Sequence, residues 1–242
     1  SLAYVIMIIL IWIPMARRKS LAFLDVGQGD CFVADTKSGA IIFDGGSSSE
    51  DQVGRYRILP YMKYLGYQKI QIAVISHMDI DHYSGIKELL EMGKIKYLGL
   101  PEIPKDETMK KIIGIAKKRG TTIFYLSRGR QITTKDGSLK VLHPQKNSQM
   151  EKNAASLVMQ GKILGYRVLL TGDVEKEGEE ELLSEELERA DILKAAHHGS
   201  KNSTSNEFLQ KVQPKQTVIS CGKQNRYGHP HLETIHRLQT YH

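Results

Sequence analysis

Residues 70–82 read IQIAVISHMDIDH. The first seven, 70–76, are a nearly unbroken apolar run rich in β-branched side chains. That is the mark of a strand buried on both faces, as in the sheet of an α/β protein. His77, Asp79 and Asp81 follow at alternate positions. A chain that leaves a strand extended points residues i, i+2 and i+4 the same way, which aims these three side chains at one point. His82 joins them where a short helix, YSGIKELLEMG (83–93), begins. Carboxylates crowded at a strand mouth repel one another unless a cation is present. Imidazole and carboxylate together form a donor set for a divalent metal.

Two further stretches end in the same chemistry. YRVLLTGD (166–173) is an apolar run closing on Asp173, and ILKAA (192–196) runs into His197, His198, Gly199 and Ser200. Strand C-termini of an α/β sheet face a common crevice, the usual ligand site. The candidate ligands outnumber the roughly four that one structural zinc takes. Two metals sharing a bridging carboxylate fit the count better.

Around these segments the chain alternates short β-runs with helical patterns. Strands are expected in LAFLDV (21–26), DCFVADT (30–36), AIIFDGG (40–46), KYLGLP (96–101), TIFYLS (122–127), LKVLHP (139–144), SLVMQ (156–160) and TVISCG (217–222). Helices are expected over 53–66, limited by Pro60, over 108–119, ended by Gly120, over the acidic stretch 175–189, and over 205–212. This alternation reads as an α/β protein with mixed sheets. GQGD (27–30) lacks the GxxxxGK[ST] pattern of a phosphate loop and reads as a tight hairpin turn. Cys31 and Cys221 fall in apolar runs and read as inert thiols, with a disulfide between them left open.

With 40% hydrophobic and 25% charged residues, the chain is neither a disordered polymer nor a polytopic membrane protein. Its net charge is +7, distributed unevenly: residues 175–189 hold a local net of −6, so the rest carries +13. A field that basic favours a polyanion such as nucleic acid, or an anionic membrane. The acidic helix reads as a solvated face over the apolar stripe of Leu182, Leu183 and Leu187. Residues 2–15 (LAYVIMIILIWIPM) are apolar and are followed by Arg17, Arg18 and Lys19. The run is shorter than the roughly 20 residues of a full span. Residues 1–20 therefore read as the C-terminal end of a transmembrane segment with a basic linker.

SHMDIDH (76–82) resembles the metal motif of metallo-β-lactamase-fold hydrolases. With LDVGQGD (24–30), FDGG (43–46), LLTGD (169–173), HHGS (197–200) and YGHP (227–230), the ordered set is similar to the C-terminal hydrolase domain of ComEC-type DNA-uptake channels. The resemblance runs from residue 21 to the end. It implies a four-layer αββα sandwich over 21–242 with metals at the sheet edges. It also implies a metal-dependent phosphodiesterase or nuclease acting on DNA during uptake, beside a membrane channel domain of the same or another chain.

Carried over by position, His77 and Asp79 hold one metal, Asp81, His82 and His197 hold the other, and Asp173 bridges. Asp79 stands where the general motif has histidine. The third histidine of the first metal has no clear match: His143 lies early, and Asn153 sits nearer the expected place. Oxygen-rich donors favour a harder ion, so Mn²⁺ is preferred, with Zn²⁺ second. In the implied chemistry a hydroxide between the metals attacks phosphorus, with Asp81 in the catalytic set. His198 and His229 are candidate acids for the leaving oxygen, although His229 and His231 also read as plain loop residues. Asn153, Ser156, Ser200 and Asn225 are candidates for holding phosphate oxygens.

The basic cluster after residue 15 favours the cytoplasmic side, while the family role favours the outer face, which is the preferred reading. Two alternatives stay open: a non-catalytic DNA-binding or channel-gating module, and a hydrolase of the same fold for a small phosphodiester, lactone or thioester.

Overall fold

Strand side chains alternate between two faces, and in this chain both faces are apolar, so each sheet needs a cover on either side. The computed structural model describes residues 19–150, 153–184 and 187–241. Strands β1 (Leu21–Phe23), β2 (Phe32–Thr36) and β3 (Gly39–Phe43) run antiparallel. A π-turn over Gly54–Ile58 leads into α1 (Leu59–Tyr64). Then β4 (Ile70–Val74), α2 (Ile80–Glu91), β5 (Ile95–Pro101), α3 (Glu107–Lys118) and β6 (Thr122–Leu126) extend the sheet as parallel strands joined by helices.

The second half mirrors this plan. β7 (Gln131–Thr134), β8 (Gly137–His143), β9 (Val158–Ile163) and β10 (Tyr166–Leu170) are antiparallel neighbours. After α4 (Lys176–Leu183) come β11 (Ile192–Lys194), α5 (Asn206–Val212), β12 (Gln216–Val218) and α6 (Leu232–Thr240), with β10, β11 and β12 parallel. The spatial orders are β1 to β6 in one sheet and β12 down to β7 in the other.

The side-chain alternation fixes the layers. Phe32, Ala34, Ile41 and Phe43 of the first sheet pack against Leu139, Val141, Met159, Val168 and Leu170 of the second. Their strand neighbours Val33, Ala40 and Ile42 turn the other way, onto Met62, Ile86, Leu89, Met109 and Ile112 of α1 to α3. Val158, Leu169 and Leu193 likewise pack with Leu182, Phe208, Leu209 and Leu238 of α4 to α6. The order is helix, sheet, sheet, helix, which is the expected αββα sandwich.

The details depart from expectation in several places. Pro60 lies in the first turn of α1, where its missing N–H is harmless, rather than limiting the helix. β7 and α6 escaped the sequence reading: only Ile132 of β7 is buried, so the strand shows little apolar alternation. The acidic helix is not wholly a solvated face. Glu179 is buried and accepts from the backbone N–H of Thr204 (2.6 Å) and Ser205 (3.0 Å), tying α4 to the start of α5. Both cysteines are free. The expected membrane segment lies outside the described residues except for Lys19 and Ser20. Among the described residues no helix is long and apolar enough to cross a membrane.

Ile42 sits fully buried in β3 between β2 and β4. Ile42→Ala is expected to lower unfolding free energy by about 2–5 kcal/mol in urea titrations with an unchanged m-value. A loss below about 1 kcal/mol would contradict this packing.

Candidate metal centre

Four strands deliver their C-terminal ends to one edge of the sandwich. Asp44 follows β3, Ser76 and His77 follow β4, Asp173 follows β10, and His197 and His198 follow β11. Asp30 just precedes β2, and because β2 runs antiparallel to β3 its start adjoins the end of β3. The GQGD segment is therefore part of a longer β1–β2 loop that reaches this edge. Two glycines let the loops close on α2. A Cβ on Gly29 would lie 2.2 Å from the carbonyl oxygen of Gly46, and one on Gly46 would lie 2.6 Å from the His82 amide nitrogen. In that space the Asp30 N–H donates to the carbonyl of Asp81 at 3.0 Å.

A hydrogen-bond relay orients the imidazoles. Asp44, fully buried, accepts from the backbone N–H of Ser76 at 2.7 Å and from the Ser76 hydroxyl at 2.8 Å. Since that hydroxyl donates to Asp44, it accepts from Nδ1 of His77, 3.0 Å away. Asp44 also takes Nδ1 of His82 at 2.9 Å. Nδ1 of His198 meets the carbonyl of Ser220 at 2.8 Å. All three rings thus have Nδ1 engaged, and each Nε2 is buried without a hydrogen-bond partner. This is how metal-binding histidines are held: an outer acceptor fixes the tautomer and leaves the other nitrogen for the ion.

These nitrogens converge with carboxylates. Nε2 of His82 and Nε2 of His198 each stand 3.2 Å from Oδ2 of Asp173, and Nε2 of His198 is 3.3 Å from Oδ2 of Asp81. Donor atoms of His77, His82 and Asp173 lie within 4.8 Å of one another, as do those of Asp81, His82 and His198, and those of Asp30, Asp173 and His198. Beneath them Lys194, buried in β11, pairs with Asp30 and lies 3.5 Å from Oδ1 of Asp173 while donating to the carbonyl of Gly172 at 2.9 Å. Asp173 therefore has one oxygen on the lysine and the other toward the imidazoles. The buried, unpartnered nitrogens and the adjacent carboxylates fit a divalent cation.

The charges show what such an ion replaces. Burial opposes charge on His82 and His198, but Asp173 with Asp44, and Asp173 with Asp30, hold their pKa values well above the usual imidazole range. Burial and the nearby His82 push His77 down to about 3. Asp173, despite burial, is held well below the usual carboxylate range by His198, His82 and Lys194. The carboxylates thus favour the charged form of these two imidazoles where a cation would sit.

Of the residues read from the sequence, His77, Asp81, His82 and Asp173 come together. Asp79 occupies the N-cap position of α2 without a side-chain capping hydrogen bond; its side chain is 38% exposed, and its Oδ2 is 3.8 Å from Nε2 of His77. His197 and His198 both adopt left-handed backbone (φ 48° and 53°), a costly conformation for non-glycine residues that clusters at functional sites. The result is that His198 points inward, 1% exposed, while His197 stays at the rim with Nδ1 3.0 Å from Oε1 of Glu175. Its Nε2 is 3.8 Å from Oδ2 of Asp173.

His229 borders the cleft, 6.1 Å from His198 between ring centroids, and burial together with His197 and His198 pushes it down to about 4. Asn153 lies at the rim, 3.5 Å from Glu175. The Ser156 hydroxyl accepts from the N–H of Asp173, and that of Ser200 from the N–H of Asn202. The Asn225 amide binds Gly222, Tyr227 and His229 backbone groups and so shapes its own loop. His143 lies apart, bonded to the carbonyl of Ala154 at 2.7 Å with Nδ1 3.3 Å from Glu181. Sequence reading passed over Asp30, Asp44 and Lys194. The first two stand in the quoted GQGD and FDGG motifs, and the third is a lone charge in the otherwise apolar ILKAA run.

Residues 24–223 match the family model described as the Metallo-beta-lactamase superfamily. The chain is 35% identical to ComE operon protein 3 of Bacillus subtilis, over 98% of this chain and 33% of that protein. It is 29% identical to competence protein ComA of Neisseria gonorrhoeae, over 90% of this chain and 29% of that one. The chain spans about a third or less of these relatives. Among solved structures, the metallo-β-lactamase fold protein YhfI from Bacillus subtilis superposes with a TM-score of 0.58 at 12% identity, covering 92% of this chain and 93% of that one.

Two outcomes are expected of the relay. Asp44→Asn weakens Mn²⁺ affinity by about 10- to 100-fold in calorimetric titrations, whereas unchanged affinity contradicts the orienting role. Metal ligands must be deprotonated, so binding displaces protons from His82 and His198, and affinity rises with pH. The apparent binding enthalpy then depends on the buffer's ionisation enthalpy. A buffer-independent enthalpy contradicts protonated imidazoles in the metal-free protein.

Proposed function

The chain belongs to the metallo-β-lactamase superfamily, and from that premise we propose that it is a divalent-metal-dependent phosphodiesterase acting on DNA during uptake. The observation that carries the reading is the convergence of three unpartnered imidazole nitrogens, of His77, His82 and His198, on the carboxylates of Asp81 and Asp173. The competence-protein relatives support the DNA substrate, as does the +13 carried outside the acidic stretch.

In this reading Asp81, His82 and His198 hold one metal, His77 with Asp79 holds the second, and Asp173 lies between them. His198 thus takes the ligand place that the resemblance implies for His197. The oxygen-rich set keeps Mn²⁺ preferred over Zn²⁺. Bound metals supply a polarised water and neutralise charge on the non-bridging phosphate oxygens. The chain does the rest. Asp44 and Ser220 orient the imidazoles, and Lys194 fixes Asp173 through one oxygen so that the other faces the site. His197, at the rim and backed by Glu175, is placed to give a proton to the leaving oxygen. A position at the membrane beside a channel, on its outer face, belongs to the same proposal and is carried by the resemblance.

With Mn²⁺, the protein is expected to hydrolyse bis-p-nitrophenyl phosphate and DNA oligonucleotides, and Asp173→Ala to lower kcat/KM by about 100-fold or more. Tight stoichiometric metal binding without turnover on either substrate contradicts the enzyme and favours a binding module.

A further inference from the structure

A second cleft of about 260 Å³ opens beside the metal centre, bounded by Gln28, Ser48, Ser49 and residues 222–227. It shares Gln28, Ser48, Arg226 and Tyr227 with the cleft over the metal ligands, so the two adjoin. Among the described residues no carboxylate lines it, whereas Lys223 and Arg226 do.

Gln28 is 2% exposed. Its Oε1 accepts from the N–H of Gly222 at 2.9 Å, which fixes the amide orientation and leaves the Nε2 donor buried with no partner. An unpaired buried donor is costly unless a ligand takes it. A Cβ on Gly222 would lie 2.9 Å from the backbone nitrogen of Gln28, so glycine there lets the loop close on this side chain. Asn225 holds the loop by four hydrogen bonds to Gly222, Tyr227 and His229. Tyr227 is 43% exposed; its ring stacks on His229 at 5.6 Å with 21° between planes, and the exposed Arg226 lies over it, guanidinium carbon 4.9 Å from the centroid, while donating to the hydroxyl at 2.7 Å, so a base gains this ring as Arg226 swings off it.

We propose that this cleft is a nucleotide subsite adjoining the metal centre, in which Tyr227 stacks on a base, Arg226 and Lys223 face the phosphates, and Gln28 donates to a ligand oxygen. It rests on the phosphodiesterase reading and narrows its substrate to an unpaired strand. Base stacking on an aromatic side chain needs a free π-face, and in a duplex the neighbouring bases cover both faces. The loop itself is preformed, because the Asn225 amide sets it without a ligand.

The test is fluorescence anisotropy in EDTA, where turnover cannot consume the probe. Three labelled probes are compared: a 12-residue oligothymidylate, its duplex with oligodeoxyadenylate, and an abasic strand of equal length. The oligothymidylate is expected to bind about 10-fold or more tightly than the other two. Tyr227→Ala weakens oligothymidylate by roughly 5- to 100-fold, with a smaller effect on the abasic strand, and Tyr227→Trp recovers the loss. Tyr227 is exposed, so its removal leaves the fold intact. Gln28→Glu keeps an acceptor for Gly222 but replaces the donor with a charge, and it weakens oligothymidylate and abasic strand alike.

Equal loss on all three probes with Tyr227→Ala, no loss at all, or a duplex bound as tightly as the single strand would overturn the subsite. Bis-p-nitrophenyl phosphate hydrolysis is read in parallel. Hydrolysis without Tyr227-dependent binding removes the subsite alone, and Tyr227-dependent binding without hydrolysis removes the phosphodiesterase reading alone.

Discussion

The carboxylate of Asp44 is the constraint on which the rest of the site depends. It is fully buried at the end of β3, where an unpaired charge would cost several kcal/mol. Its partners are the Ser76 amide, the Ser76 hydroxyl and Nδ1 of His82. Through the hydroxyl it reaches His77 as well. One side chain thereby sets the tautomers of two imidazoles that arise on opposite sides of a strand–helix junction. Burial pushes the Asp44 pKa upward while His82 pulls against it, so the pair shares its charge within the core.

The site also solves a problem of charge density. Asp30, Asp44, Asp81 and Asp173 crowd one edge, and the fold supplies a permanent countercharge, Lys194, from the end of β11. These carboxylates also raise the affinity of His82 and His198 for protons, which a divalent ion can displace. The left-handed backbone at His197 and His198 serves the same end by sending adjacent histidines to different places, one inward to the carboxylates and one to the rim. Such a conformation costs of order 1–3 kcal/mol per residue and persists where the surroundings over-determine it. Here the 10–11–12 parallel strands and the loop pinned by Glu179 surround it.

Much of this was legible in the chain. The β4 run and the spacing of His77, Asp81 and His82 declare a strand that ends in donors, and Asp173 repeats the device on β10. What could not be read has physical reasons. Whether His197 or His198 faces inward depends on two backbone torsions that no side-chain pattern encodes. Asp30 and Asp44 act through hydrogen bonds formed between loops distant in sequence, and glycines at 29 and 46 signal close approach without saying to what. β7 carries one buried residue, Ile132, too little for a period to show. Gln28 looked like part of a turn because its significance is a missing partner, which exists only in three dimensions.

The central claim is that His77, Asp79, Asp81 and His82 after β4, Asp173 after β10 and His198 after β11 hold divalent cations together. An anomalous-difference map, recorded at the manganese edge on a crystal grown with excess Mn²⁺, tests it most directly. Two peaks about 3.5–4 Å apart are expected, one among Asp81, His82 and His198 and one beside His77, with Asp173 touching both. A map whose peaks avoid Asp173 and fall only on surface carboxylates would contradict it.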